Sequence, residues 1–426
     1  MTAFSPIPRT ARHHRDDSMP LQRRNGGLLM LQLRVVLALT VPLSGCARDL
    51  ADAHCPCIDR WQCCPTRNIC VPSTATCDGT GGTAGADPMD PRLGADDTPQ
   101  ALEGCAVDAS VSSKVAPGGY YTNGASVCTA SGAAHLFHGV DRPSLEWNPS
   151  GEWNGEPGIP RSDFDAMVSW HANVVRLSLN QDYWLSGAKL YEPTYEATIE
   201  RAVQDAEAAG LDVILDLHWS DRGDLSANAD QQPMADSNSK VFWLEVATKY
   251  KNDGHVLFEL YNEPLDISRA TWLSGGQVEG YQAVGMQELY DTVRSVGADN
   301  LVIAGGTEWG FDLSGVFANP IRGYNVMYAT HPFGPQSAAS QWARRFGYLA
   351  AQDIAPVIVT AFGDMSPNCT GSWDSDVVQY ADARQISWTA WAWWKGDCLF
   401  PSLIADWDYT PTVQGAVIKA ALLDYP

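Results

Sequence analysis

The chain has 426 residues, 45% of them apolar, and a formal net charge of -22. That much apolar material supports a sizeable core and excludes global disorder. The acidity repels phosphate backbones and anionic lipid headgroups, so it excludes nucleic acid as a partner and any membrane contact driven by surface charge.

At the N-terminus, Arg23, Arg24 and Arg34 precede the apolar run 35–43. This run is too short to cross a bilayer as a mature helix and reads as the core of an export signal over 1–45. Met19 and Met30 are alternative starts within it. The run ends in Leu43-Ser44-Gly45-Cys46, which resembles the bacterial lipoprotein box. That resemblance implies lipidation of Cys46 and attachment to the cell envelope, with Ala47 favouring the outer membrane. Secretion without an anchor is the alternative. Of the ten Cys other than Cys46, six (Cys55, Cys57, Cys63, Cys64, Cys70 and Cys77) crowd into 46–77. A stretch this short cannot bury a core, so it reads as a disulfide knot. Zinc is the competing reading, but no His lies among these Cys and an exported chain meets an oxidising compartment. Residues 78–100, rich in Gly, Thr, Asp and Pro, have the composition of a flexible linker.

The main domain is expected over 101–426. Gly118–Cys128 reads as a hairpin capping a barrel floor, with Cys105 and Cys128 as disulfide candidates. From Leu136 onward, apolar β-rich runs alternate with amphipathic helices. Strands are expected near 136–140, 173–179, 212–218, 256–262, 301–305, 325–331, 356–362 and 386–392. Runs such as Asp212-Val-Ile-Leu-Asp-Leu are those of parallel strands buried on both faces. Helices are expected near 163–171, 194–209, 239–250, 281–296, 341–352, 375–384 and 412–423. In the second of these, Tyr195, Ile199, Ala202, Val203 and Ala206 share a face, Thr194 is the N-cap and Gly210 follows the end. Eight strands with interleaved helices over about 290 residues predict an α/β fold, a closed (β/α)8 TIM barrel. An open doubly wound sheet is the rival, but no Gly-rich phosphate loop follows an early strand.

In such a barrel, chemistry gathers at the C-terminal ends of the strands. The second predicted strand ends around Arg176, the third at His218 and the fourth in Asn262-Glu263-Pro264. The sixth ends in His331-Pro332-Phe333, the seventh carries Thr360-Ala361-Phe362-Gly363 and the eighth Trp388-Thr-Ala-Trp391. A lone strand-end His is usually a satisfied core residue, but six polar or aromatic groups on one rim make a site. The sixteen Trp suit a cleft in which ring faces cover sugar C–H surfaces, although many must also serve the core.

Asn262-Glu263-Pro264 after the fourth strand, with Arg, two His and Trp on strands two, three, six and eight, resembles glycoside hydrolase family 5 across the whole barrel. The resemblance implies a retaining endo-glucanase or mannanase type of enzyme acting on β-linked polysaccharide, with no cofactor and no metal. It requires two carboxylates about 5 Å apart. Glu263 is then the acid/base, Asn262 holds the sugar 2-hydroxyl, and Arg176 orients the strand-seven nucleophile. His218 and His331 hold sugar hydroxyls and neighbouring carboxylates, and Trp391 forms the platform under the sugar. Glu259, deeper on the same strand face as Glu263, reads as the buried partner of a barrel cation.

The departure lies on strand seven, where the family carries Thr-Glu-Phe-Gly and this chain has Ala361. A methyl cannot attack an anomeric carbon, and losing a nucleophile costs on the order of 10⁶ in rate, ~8 kcal/mol. Phe333 stands where the family often has a Tyr whose hydroxyl bonds that nucleophile. Asp364 lies past the strand end and is a poor substitute. The expectation is a monomeric, β-glycan-binding protein with hydrolysis lost or severely impaired. A natural loss, a deliberate Glu-to-Ala exchange and a one-base coding change all give this sequence. A non-catalytic carbohydrate-binding or structural surface lipoprotein is the alternative, though a structural role has no need of the other rim residues. Cys369 and Cys398, after strands seven and eight, are expected to form a disulfide at the cleft mouth.

Overall fold

The computed structural model describes residues 61–64, 69–72, 105, 114–334, 337–366, 368, 370–396 and 400–426. The export segment, Cys46, the linker 78–100 and the expected pair Cys369 and Cys398 lie outside the described residues. The chain divides into two units, 1–84 and 85–426. In the first, Trp61–Cys64 and Ile69–Pro72 pair antiparallel, with Cys63 opposite Cys70.

In the second unit, eight parallel strands close into a barrel. They are His138–Arg142, Val174–Asn180, Asp212–Trp219, Val256–Glu259, Val302–Gly305, Val326–Thr330, Val357–Val359 and Ser387–Ala390. Each overlaps its predicted run, because β-branched runs buried on both faces have no competing helical period. Among the helices outside the barrel, Tyr195–Ala209 buries Tyr195, Ile199, Ala202, Val203 and Ala206 and stops at Gly210, whose φ of 102° is left-handed. Thr194 stands at its N-cap position as expected, but the Thr194 hydroxyl donates to Glu192 and makes no capping hydrogen bond to the helix.

Two further expectations are corrected. The span 281–296 is not one helix. Gly276–Val278 pairs with Tyr281–Ala283, and the helix begins only at Met286. Glu279 and Gly280, both with positive φ, make the two-residue reversal that a hairpin needs. The span 341–352 is a 3₁₀ turn (Ala339–Gln341), a π turn (Ala343–Gly347) and a short α turn (Tyr348–Ala351). There Trp342 and Phe346 both pack on Tyr380, which belongs to the helix Ser372–Asp382. Tertiary contact has overridden the local period.

The interior of the barrel changes character along the strand axis. At the floor, Val174, Ile214, Leu257, Ile303, Met327 and Ile358 form one apolar cluster with Tyr120, Val127 and Phe137. The expected cap over this floor is a three-stranded sheet (Tyr120–Asn123, Ser126–Thr129 and Ala134–His135). The Tyr120 hydroxyl donates to Asp212 Oδ2 at 2.7 Å, and Cys105 and Cys128 form the disulfide expected of them. Two residues further along four of these strands stand Arg176, Asp216, Glu259 and Thr360, all fully buried. A strand repeats its facing every second residue, so Val174, Ile214, Leu257 and Ile358 fix the inward direction of these polar groups.

Candidate active site

Arg176 organises the polar layer. Its Nε donates to Glu259 Oε2 at 2.6 Å, and its Nη2 donates to Asn262 Oδ1 at 2.8 Å and contacts Asp216 Oδ2 at 3.0 Å. Glu259 is thus the buried partner of a barrel cation that its depth implied. Burial alone would push the Glu259 carboxyl up, but the Arg176 charge and the neighbouring His331 outweigh it and hold it down to about 2. The other Glu259 oxygen accepts from Thr360 Oγ1 at 2.8 Å, and Thr360 Oγ1 lies 2.8 Å from His331 Nε2. His331 Nδ1 in turn lies 2.9 Å from Glu263 Oε1. Burial opposes a charge on His331, yet the negative pull of Glu259 and Glu263 raises it to about 9. As an imidazolium it donates at both nitrogens. An unbroken chain of hydrogen bonds therefore runs from Arg176 through Glu259, Thr360 and His331 to Glu263.

The remaining expected residues complete one rim. His218 Nδ1 donates to Asp216 Oδ2 at 2.6 Å. Burial would lower the His218 imidazole, but this carboxylate raises it. Its ring lies nearly parallel to Trp391, at 14° and 5.9 Å between centroids. Burial pushes the Asp141 carboxyl up to about 7 in spite of Arg176, whose Nη1 is 3.6 Å away. Arg176, His218, Asn262, Glu263, His331, Phe333, Ala361 and Trp391 all line a single cavity of about 760 Å³. The Glu263 side chain is 19% exposed there, a carboxyl held on one side and open on the other. Asp364 is not among the lining residues, and its carboxylate accepts from Ser366 N at 2.8 Å.

Several lining residues escaped the sequence reading. Glu308, Trp309 and Gly310 are three consecutive residues in the left-handed region, with φ of 55°, 60° and 72°. Non-Gly residues held there cost about 1–3 kcal/mol each and cluster at working sites. Gly310 is obligatory, because a Cβ on it would stand 2.9 Å from His331 Nδ1. Trp309 N donates to Pro264 O at 3.0 Å, which fixes this 54% exposed indole beside Glu263. Glu308, the other carboxylate lining the cavity, is 60% exposed and pairs with Arg345. A series of ring contacts also leads away from the cavity, from Trp391 to Phe400 (5.5 Å), from Phe400 to Trp147 (5.8 Å) and from Trp147 to Trp153 (5.8 Å). Phe400 lines both the main cavity and a second one of about 430 Å³, shared with Trp147, Trp153, Trp394 and Lys395. The arrangement offers a partly open carboxyl on a charged relay, in a cavity that aromatic side chains also line. Among the described residues, no group of three or more His, Cys, Asp or Glu is placed to hold a metal ion.

Known proteins resemble this chain in sequence and in fold. The family model described as cellulase (glycosyl hydrolase family 5) matches residues 132–397, most of the barrel. Endoglucanase E-5 of Thermobifida fusca is 27% identical over 286 residues, covering 63% of this chain and 54% of that protein. Endoglucanase MaCel5A of a Microbulbifer species is 26% identical over 283 residues, covering 63% and 49%. The chain thus spans about half the length of these curated relatives. Among solved structures, a β-glucanase of Saccharophagus degradans in complex with cellotetraose superposes with a TM-score of 0.60 at 23% identity, covering 76% of this chain and 97% of that one. A hyperthermophilic endocellulase of Pyrococcus horikoshii gives 0.56 at 16%, covering 72% and 100%. These likenesses bear on the fold, and the family match on the barrel sequence itself. The chain belongs to glycosyl hydrolase family 5.

Proposed function

We propose that the barrel binds β-linked glucan chains and that its hydrolytic turnover is lost or severely impaired, because Ala361 stands at the nucleophile position. One observation carries this reading. The relay from Arg176 to Glu263 is complete, and the strand-seven residue facing the same cavity is a methyl. Glu263 is the acid/base, supplied with charge balance by His331. Asn262 and His218 hold sugar hydroxyls, and Trp391 is the platform at the cleavage position. Phe333 fits a site with no nucleophile to hydrogen-bond. Glucan as the ligand is supported by relatives described as endoglucanases and by the cellotetraose complex.

The cleft also has a direction. An acid/base protonates the leaving oxygen, so the leaving half of the chain lies on the Glu263 and Trp309 side. The retained half then runs over Trp391 and Phe400 toward Trp147 and Trp153. Export and anchoring through a lipidated Cys46 belong to the same proposal, since an extended polysaccharide is met outside the cell. The test is to titrate cello-oligosaccharides by calorimetry and follow reducing-sugar release in the same preparation. Saturable binding with negligible release is expected. Rapid hydrolysis by this chain, or binding to none of β-glucan, mannan and xylan, would overturn the reading.

A further inference from the structure

The loop 220–236 joins the third barrel strand to the helix Ser237–Tyr250 and is pinned to the segment 261–265. Ser220 and Asp230 exchange backbone hydrogen bonds of 2.9 and 3.1 Å. The Tyr261 hydroxyl donates to Gln232 O at 2.9 Å, and Leu265 N donates to Pro233 O at 3.0 Å. Arg222 Nε closes the loop on Gln232 Oε1. Gln231 is therefore carried on fixed backbone, and its half-buried side chain is committed at both ends. Its Nε2 donates to the carbonyl oxygens of Glu263 (2.9 Å) and Gln232 (3.1 Å), which can only accept. That settles which way the amide is turned, and Gln231 Oε1 accepts from Asn262 Nδ2 at 3.2 Å. Asn262 is settled by the same logic. Arg176 has donors alone, so it takes Asn262 Oδ1, and Nδ2 is left for the other partners. One of these is Gln231 Oε1, and the other is His218 Nε2 at 3.4 Å. His218 Nδ1 is held on Asp216, whose charge raises the imidazole, and the protonated ring carries a donor at Nε2 too. In that state His218 gives the Asn262 amide no acceptor. Gln231 Oε1 is then the acceptor that fixes Nδ2 among the described residues.

We propose that Gln231 is a positioning residue, which holds the Asn262 amide in the one orientation that presents its remaining N–H to a ligand oxygen beside His218. The inference rests on the proposed function for that ligand, a sugar hydroxyl. Asn262 and His218 line the main cavity and Gln231 does not, so Gln231 acts on the ligand through Asn262. The terminal torsion of an Asn side chain is soft, and one tie to Arg176 leaves it free to rock. A second tie at Nδ2 holds the amide before the ligand arrives, which spares the ligand the cost of ordering it. The same Gln231 amide grips the Glu263 carbonyl, so one side chain from the neighbouring loop steadies two consecutive residues of the site.

Cellotetraose is titrated by calorimetry into the full chain and into Gln231→Met, which keeps the length of the side chain and loses its amide. Its Kd is expected to rise about two- to tenfold, the scale of one neutral hydrogen bond. In an Asn262→Ala background the same substitution should leave Kd nearly unchanged, because no amide remains to be held. Equal losses in the two backgrounds make Gln231 a prop of its loop, and no loss in the parent removes the role; either result overturns the proposal. Should the Met variant not fold, Gln231→Ala is read in the same cycle. The His218 ring resonances of the unliganded chain give a readout without sugar. They should shift on Gln231→Met in the parent and stay in place when Asn262 is already Ala. Cellotetraose binding that Asn262→Ala leaves unchanged overturns the positioning role while the glucan reading stands. Failure of the parent to bind cellotetraose sinks the glucan reading, and the His218 resonances then decide Gln231 alone: no shift, or equal shifts in both backgrounds, overturns it.

Discussion

The cavity has two walls that share a barrel and differ in completeness. On one wall, Glu259 and Glu263 of strand four and His331 of strand six are joined to Arg176 of strand two, with Thr360 of strand seven as the bridge, by contacts of 2.6 to 2.9 Å. On the wall of strand seven, Ala361 presents a methyl, and Phe362 is turned into the core beneath the helices. The difference teaches how a charged site can hold an apolar residue at one position without collapsing. Each charge of the first wall is balanced by another member of that wall, so an apolar residue at 361 leaves none uncompensated. Breaking a buried pair from inside costs several kcal/mol, whereas residue 361 sits at the edge of the network.

The largest effect should come from equalising the walls. Ala361→Glu places a second carboxylate across the cavity from Glu263 and should raise turnover of a β-glucan by orders of magnitude, up to ~10⁶ or about 8 kcal/mol. Reducing-sugar assays on glucan, mannan and xylan check it. A folded variant that stays inert on all three breaks the comparison. In that restored background, Glu263→Gln should remove most of the gain, ~10²–10⁴-fold, because the acid/base can no longer give or take a proton. Activity that persists undiminished would show that the complete wall is not the working one.

Much of this contrast was legible in the sequence, for a definite reason. Arg176, Glu259 and Asp216 interrupt apolar strand runs at the inward-facing parity, and a charge there needs partners. The partnership of Glu259 with a barrel cation followed from that parity, while the presence of Thr360 in the relay did not. A Thr in Val-Ile-Val-Thr reads equally well as a β-former. Trp309 was not legible at all. Its place over the cavity depends on Glu308 and Trp309 adopting left-handed backbone, which neither residue type signals. Likewise the apolar spacing of 341–352 fits a regular helix, and only packing against Tyr380 from another helix redirects it.

The complete wall should also show in the pH dependence of stability. His331 is raised from 6.5 to about 9. A group with a raised folded pKa stabilises fully below its unfolded value and loses that contribution as pH rises through the folded one. The stability of the parent chain relative to His331→Gln should therefore be greatest below pH 6.5 and shrink toward pH 9, by up to ~3 kcal/mol at 1.36 kcal/mol per unit. Urea unfolding at a series of pH values measures it. Parallel curves for the two proteins would mean that His331 is not held as a cation by Glu259 and Glu263.

The smallest effect concerns the aromatic track that leads away from both walls. Trp391 sits in the main cavity, while Trp153, 41% exposed, lies two ring contacts beyond Phe400 and lines only the second cavity. A short ligand held at Glu263 does not reach it. Trp391→Ala should accordingly weaken every cello-oligosaccharide. Trp153→Ala should weaken only the longer ones, by ~1 kcal/mol, about fivefold, the scale of one exposed aromatic contact. Calorimetric titration with cellobiose and cellohexaose separates the cases. Equal losses on both ligands would make Trp153 a structural prop for Trp147 rather than a sugar contact. A loss confined to the hexaose would place a distal sugar of the longer chain over Trp153.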